Sequence, residues 1–314
     1  LNLSRNFYEN KVSKQLFNTL PKNIKKMKVT FIGLGIMGSR MAANLLKNGV
    51  DLTVFNRSEE AMNALAKQGA KTAPTAKAAA ENADLVITML STPEVVASVM
   101  MEEGAVLSVM SPDAIWIDCS TVNPSFTQVA FSAAQAKAIH FVDAPVAGTK
   151  PQAENAELVF FVGGAHEMVE KVSPILNLMG KKVMYLGIVG KGASYKMLVN
   201  MMLAQSMIVF SEALLLGEKM GFDQELLLNT IPNLVVSAPF TKFKASMIQS
   251  EDYTVQFPLE WMHKDLHLAT TTAYELGQPL FLANLAKELF AVAKKEGLGR
   301  LDFAAIHQSL ANKT

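Results

Sequence analysis

"FIGLGIMGSRMAANLLKNG", residues 31–49, places Gly33, Gly35 and Gly38 at G-x-G-x-x-G spacing. The run KVTFIG (28–33) is short, apolar and strand-like, a helical pattern follows to near Gly49, and DLTVFN (51–56) reads as a second strand. Strand, glycine turn, helix and strand within about 30 residues is the unit in which this spacing holds a dinucleotide. Gly33 permits the tight turn, Gly35 lets the backbone approach a pyrophosphate at the helix N-terminus, and Gly38 lets helix and strand pack closely. Leu34, Ile36 and Met37 complete the predicted phosphate turn.

The end of the second strand bears on which dinucleotide is bound. An NAD site usually carries an acid about 20 residues beyond the turn, where it takes the ribose hydroxyls. Here the strand ends in Asn56-Arg57-Ser58, and Asp51 sits at its opposite end. A guanidinium pairs with a 2′-phosphate that a carboxylate would repel, and Asn56 and Ser58 can add hydrogen bonds. The expected cofactor is NADP(H).

Beyond this unit, strands and helices continue to alternate. ADLVITML (83–90), AIWIDCS (114–120) and IHFVDAP (139–145) are apolar runs separated by helical stretches, and LVFFVGG (158–164) and KKVMYLG (181–187) extend the sheet. Buried strands alternating with helices imply right-handed βαβ units in a mainly parallel, doubly wound sheet. After Gly192 the pattern changes to one long helical stretch over 193–220, then helix after helix punctuated by Pro232, Pro239, Pro258 and Pro279. The expected fold class is α/β, a Rossmann-type domain over 27–190 joined by a long helix to an all-helical substrate and dimerisation domain over 191–314. That helix is apolar on several faces, which predicts contact with a second subunit in a homodimer or homotetramer.

The composition fits this reading. Half the residues are hydrophobic and 29 Lys and Arg face 28 Asp and Glu, a net charge of +1 that points to neither nucleic acid nor an anionic membrane. No apolar run reaches the roughly 18 residues of a membrane span. The single cysteine, Cys119, can form no intrachain disulfide and suits a reducing, cytoplasmic location. Residues 1–26 carry Arg5, Lys11, Lys14, Lys22, Lys25 and Lys26 against one acid, Glu9. They are expected to be a natural or artificial extension, disordered, with organelle targeting the less favoured alternative.

A nicotinamide cofactor moves a hydride, so the protein must hold the substrate and supply a proton. In GKGASYKMLVNMM (190–202), Lys196 and Asn200 lie four residues apart, on one face of the long helix. A lysine close to bound substrate can donate that proton, with Asn200 aligning it. Taken alone it is an ordinary helical lysine; its place at the exit of the nucleotide domain gives it weight.

The chain resembles the β-hydroxyacid dehydrogenase family, related to 3-hydroxyisobutyrate and 6-phosphogluconate dehydrogenases, and within it the glyoxylate/succinic semialdehyde reductase branch. The motifs FIGLGIMG, VFNRS, MLSTPEVV, DCSTVNP, DAPVAGTKPQAENAEL, GKGASYKMLVNMM, FPLEWMHKDLHLA and GLGRLDFAAI carry the resemblance in order and spacing from about Met27 to the end. It implies that Lys196 is the catalytic lysine and Asn200 its partner, and that Arg57 and Ser58 grip the 2′-phosphate. Met89, Leu90 and Ser91 would lie under the adenosine and ribose, with Thr121 near the nicotinamide. Lys264 would contact the cofactor from the helical domain, with Asp265 bracing the site at the substrate. Ser120, Ala147, Gly148 and Thr149 fall on the substrate side. The family usually has serine where Ala147 stands, to help bind a substrate carboxylate. Losing one such hydrogen bond costs about 1.5–3 kcal/mol, while the Gly148 and Thr149 amides and the Thr149 hydroxyl remain.

The implied activity is NADPH-dependent reduction of small carboxylated aldehydes, glyoxylate or succinic semialdehyde, to hydroxy acids. A 3-hydroxyisobutyrate-type dehydrogenase is an alternative. Imine reduction is another, to which the pocket aromatics Phe240 and Trp261 would lend themselves, and a non-catalytic NADP-binding scaffold is a third. His263 and His267 have a metal-compatible spacing, but Lys264 stands between them and no metal is expected. Cys119 has no matched histidine and reads as a packed residue.

Overall fold

The computed structural model describes residues 27–312. The expectations for residues 1–26 lie outside that range. The first strand, β1 (Lys28–Ile32), leads through the glycine turn into α1 (Gly38–Lys47), then β2 (Asp51–Phe55) and α2 (Glu59–Ala66). The short β3 (Lys71–Thr72), α3 (Ala76–Ala80), β4 (Leu85–Thr88), α4 (Pro93–Met100), β5 (Ile115–Asp118), α5 (Pro124–Gln135) and β6 (His140–Asp143) complete the parallel part. The order β3-β2-β1-β4-β5-β6 reverses direction between β1 and β4. In such sheets the ligand crevice opens at the carboxyl ends of the strands at that switch point.

The far edge departs from a purely parallel plan. After β7 (Val146–Ala147) and α6 (Lys150–Glu154), β8 (Leu158–Gly163) runs antiparallel to β6 and β7. Past α7 (His166–Leu176), β9 (Gly180–Gly187) pairs parallel with β8. Strands β1, β4 and β5 are buried on both faces apart from Lys28, as a sheet covered by helices on each side requires.

A single helix, α8 (Lys191–Lys219), enters the helical domain and is followed by α9 (Gln224–Thr230), α10 (Thr241–Gln249), α11 (Leu259–Glu275), α12 (Phe281–Lys295) and α13 (Ile306–Ala311). By length and composition α8 could cross a membrane. Part of its surface instead packs on β8 and on α9, α11, α12 and α13. Met207, Phe210 and Leu214 of α8 meet Leu266, Phe290 and Ile306 in one core, so its hydrophobicity is that of a central scaffold helix.

Candidate active site

A cleft of about 630 Å³ runs from the glycine turn to the start of the helical domain. The turn supplies its floor. Gly33 has φ +99°, and a Cβ there would run into the Met89 carbonyl. A Cβ on Gly38 would strike the Gly33 carbonyl, whereas around Gly35 nothing lies within 4 Å. The turn is therefore closed where it packs and open where a phosphate would approach, at the N-terminus of α1, whose Ser39 and Arg40 amides already donate to the Gly35 and Met37 carbonyls. These residues fit a dinucleotide.

Gly33, Gly35, Ile36, Met37 and Gly38 all line the cleft; Leu34 does not. Its side chain is buried and its amide donates to Asn56 Oδ1 at 3.0 Å. Asn56 Nδ2 donates to Ser58 Oγ at 2.9 Å, so Asn56 ties the turn to the end of β2. Arg57 is exposed and lines the cleft beside Ser58, and among the described lining residues Asp265 of α11 is the acid. Met89, Leu90, Ser91 and Thr121 line it from the ends of β4 and β5.

Four further expected residues or contacts differ. Ser120 is 1% exposed and its hydroxyl accepts the Leu90 amide at 2.9 Å, so it braces the loop after β4 instead of facing substrate. Ala147 pairs with Val159 in β7–β8 and is not among the lining residues, which on that loop are Val146, Gly148 and Thr149. The Thr149 hydroxyl donates to Gln152 Oε1 at 2.9 Å in a capping box on α6, with Gln256 Oε1 at 3.4 Å. Phe240 also fails to reach the cleft. It packs on Phe303 with ring centroids 6.0 Å apart, and Trp261 is the aromatic that lines it.

At the inner end stand Lys196 and Asn200, one turn apart on α8 and both buried. Asn200 Nδ2 donates to Asp265 Oδ2 at 2.6 Å. Asp265 Oδ1 pairs with Lys264 Nζ at 2.9 Å, and that ammonium donates to the Thr121 carbonyl at 2.7 Å. Asp265 thus joins α8 to α11, and Lys264 spans the cleft to the nucleotide domain. Asn200 Oδ1 is buried without a partner, an acceptor facing no donor of the described protein. Among the described residues none hydrogen-bonds the Lys196 ammonium. Burial lowers its pKa from 10.5 to about 8, with Lys264 adding to the effect and Asp265 opposing it. At neutral pH it is charged, close to neutrality, and able both to give and to take a proton.

Sequence reasoning missed the wall formed by Val255, Gln256, Phe257, Pro258 and Arg300. The Asp302 carboxylate holds this strap by accepting the amides of Gln256 and Phe257 at 3.2 and 3.1 Å. The LDF of GLGRLDFAAI was the available signal. His263 and His267 share α11 but no group of potential ligands forms a metal cluster among the described residues.

Comparison with known proteins agrees with this geometry. Residues 28–187 match the NAD binding domain of 6-phosphogluconate dehydrogenase, and residues 190–310 match the NAD-binding domain of NADP-dependent 3-hydroxyisobutyrate dehydrogenase. The chain is 35% identical over 282 residues to glyoxylate/succinic semialdehyde reductase 2, chloroplastic, of Arabidopsis thaliana, covering 90% of this chain and 79% of that one. It is also 35% identical over 284 residues to glyoxylate/succinic semialdehyde reductase 1 of the same plant, covering 90% and 98%. The solved structure of Mycobacterium tuberculosis 3-hydroxyisobutyrate dehydrogenase with L-serine superposes with a TM-score of 0.82 at 30% identity, covering 90% and 99%. A nucleotide turn and a buried lysine on the interdomain helix, in a two-domain chain matched along nearly its whole described length, place this protein in the 3-hydroxyisobutyrate dehydrogenase-related family of NAD(P)-dependent β-hydroxyacid dehydrogenases.

Proposed function

We propose that the protein is an NADPH-dependent reductase of small aldehydes bearing a carboxylate, of the glyoxylate and succinic semialdehyde class. The observation that carries this is Lys196, a buried amine with a pKa near 8 at the inner end of the cleft. Bound NADPH would supply the hydride to the carbonyl carbon. Lys196 protonates the oxygen as negative charge develops on it, and is then recharged from solvent. Asn200 fixes the helix face through Asp265, and its free Oδ1 is placed to accept a hydrogen bond from the ammonium or the product hydroxyl. The Gly148 amide is the group on the 147–149 loop left to hold the carboxylate, since position 147 brings no hydroxyl and the Thr149 amide donates to Gln152 Oε1 at 2.9 Å. Arg57 supports a preference for NADPH.

The assembly reading has its own support. Leu198, Met202, Val209 and Leu216 of α8 are more than half exposed, as are Phe281, Leu282 and Leu285 of α12. Met202, Val209 and Leu216 recur every seventh residue, a stripe suited to a second copy of the chain.

The test is a panel of glyoxylate, succinic semialdehyde, their uncharged analogues and cyclic imines, followed by NADPH absorbance. Carboxylated aldehydes should be reduced with the best kcat/KM; NADPH binding without turnover of any aldehyde would refute the assignment.

A further inference from the structure

The carboxylate that holds the start of the Lys196 helix lies outside the cleft. Asp143 ends β6 and is 2% exposed. Its Oδ1 accepts the Gly190 amide at 2.8 Å and its Oδ2 accepts the Ala193 amide at 2.8 Å. These are the residue preceding α8 and its third residue, so one carboxylate closes the N-terminus of the helix that carries Lys196 one turn later. The next residues of the chain, 144–149, form the loop that brings Val146, Gly148 and Thr149 to the cleft.

The surroundings are shaped to this carboxylate. A Cβ on Gly163 of β8 would strike Asp143 Oδ1, and a Cβ on Gly192 would strike Oδ2 and the Phe161 carbonyl. Gly190 takes φ +91°, a conformation that presents its amide to the acid at no steric cost. No residue of β8 or α8 touching the carboxylate is ionisable. The titratable group acting on it is Asp118 of the adjacent β5, whose charge adds to the effect of burial in raising the Asp143 pKa to about 6. The far end of the loop is tied as well: Asn44 of α1 donates to the Ala153 carbonyl of α6 at 2.7 Å, and Arg40 pairs with Glu154 at 2.7 Å.

We propose that Asp143 is a positioning residue for the reduction, a fixed pin that sets the spacing between the substrate loop and the lysine-bearing helix. It acts through Gly190 and Ala193, and it rests on Lys196 being the proton donor proposed above. In its ionised form it accepts both amides. A carboxamide in its place would accept from one and turn its own NH₂ toward the other, donor against donor, letting the first turn of α8 shift.

The experiment is D143N, with G192A as the second variant because it pushes the same helix start while keeping the acid. The expected result is a kcat reduced about tenfold to a hundredfold, as for a reacting group displaced by about an ångström, with the NADPH dissociation constant within about twofold of wild type. In wild type kcat should fall below about pH 6, where burial lets both Asp143 and the neighbouring Asp118 take up protons; D143N removes the share of Asp143 and should weaken that acidic limb while the alkaline limb of Lys196 stays. Hydrogen exchange of the peptide spanning 188–197 should quicken in both variants, a readout that stands even if no aldehyde is turned over. Unchanged kcat and exchange in a folded D143N would overturn the proposal. An active K196A enzyme would overturn the proton-donor reading separately.

Discussion

Replacing Lys196 by Met should do two opposite things at once. The side chain is 8% exposed, and its pKa is lowered from 10.5 to about 8. The difference corresponds to a cost of about 3 kcal/mol for keeping the amine charged in the fold, an order-of-magnitude figure. The sign follows from proton counts. Between pH 8 and 10.5 the unfolded chain binds the proton and the folded chain does not, so stability rises across that window and the penalty is complete below it. K196M removes the cation, so it should melt higher than wild type at pH 7, with the advantage shrinking as pH climbs from 8 toward 10.5. The same change removes the proposed proton donor, worth about 10²–10⁴ in rate. The lowered pKa also has a functional side: at pH 7 about a tenth of the lysine is neutral, against about 0.03% at the unperturbed value, so the reverse oxidation has a base available. Differential scanning fluorimetry at pH 7 and pH 10, NADPH binding by fluorescence and initial rates on succinic semialdehyde test all of this. A K196M protein that turns over within about threefold of wild type, or melts well below it at pH 7, would refute the reasoning.

Arg57→Ala should weaken NADPH by about ten- to a hundredfold, the value of a lost charge-assisted contact, and leave NADH nearly unchanged; titration of both cofactors checks it. Asp302→Ala should destabilise the chain by about 3–5 kcal/mol in urea, because Lys244, paired to Asp302 at 2.6 Å and itself buried, would be left as an unpaired charge. Val209→Asp should lower the molar mass seen in light scattering, as the proposed pairing of two copies through α8 requires, without altering NADPH affinity. In the reduction direction, kcat of wild type should decline above about pH 8 as Lys196 loses its proton.

What was legible in the sequence was what is local. The glycine turn and Arg57 lie within one βαβ unit and the Lys196–Asn200 pair within one helix, so spacing along the chain brings them together, while the role expected of Lys196 came with the family resemblance. Where a side chain at an element's end faces was not legible. Ser120 stands at the mouth of a strand, but the Leu90 amide, 30 residues earlier, turns its hydroxyl inward. The antiparallel β6–β8 and β7–β8 pairings rest on two-residue β7 and one bridge at Asp143, too short for a periodic signal. The strap at 255–258 is not a regular element; its shape comes from a carboxylate 45 residues away at Asp302. Asp143 was equally hidden, a strand acid whose partners begin 47 residues later.

The glycine-to-lysine interval at the start of α8 is therefore a register as well as a connection. Each residue of a helix turns the side chains after it by about 100° and advances them 1.5 Å. One residue inserted or deleted between Gly190 and Lys196 would swing the amine away from the inner end of the cleft and leave both domains individually intact. A graft of this helical domain onto another nucleotide domain has to carry the Asp143 loop and the first turn of α8 from the same parent.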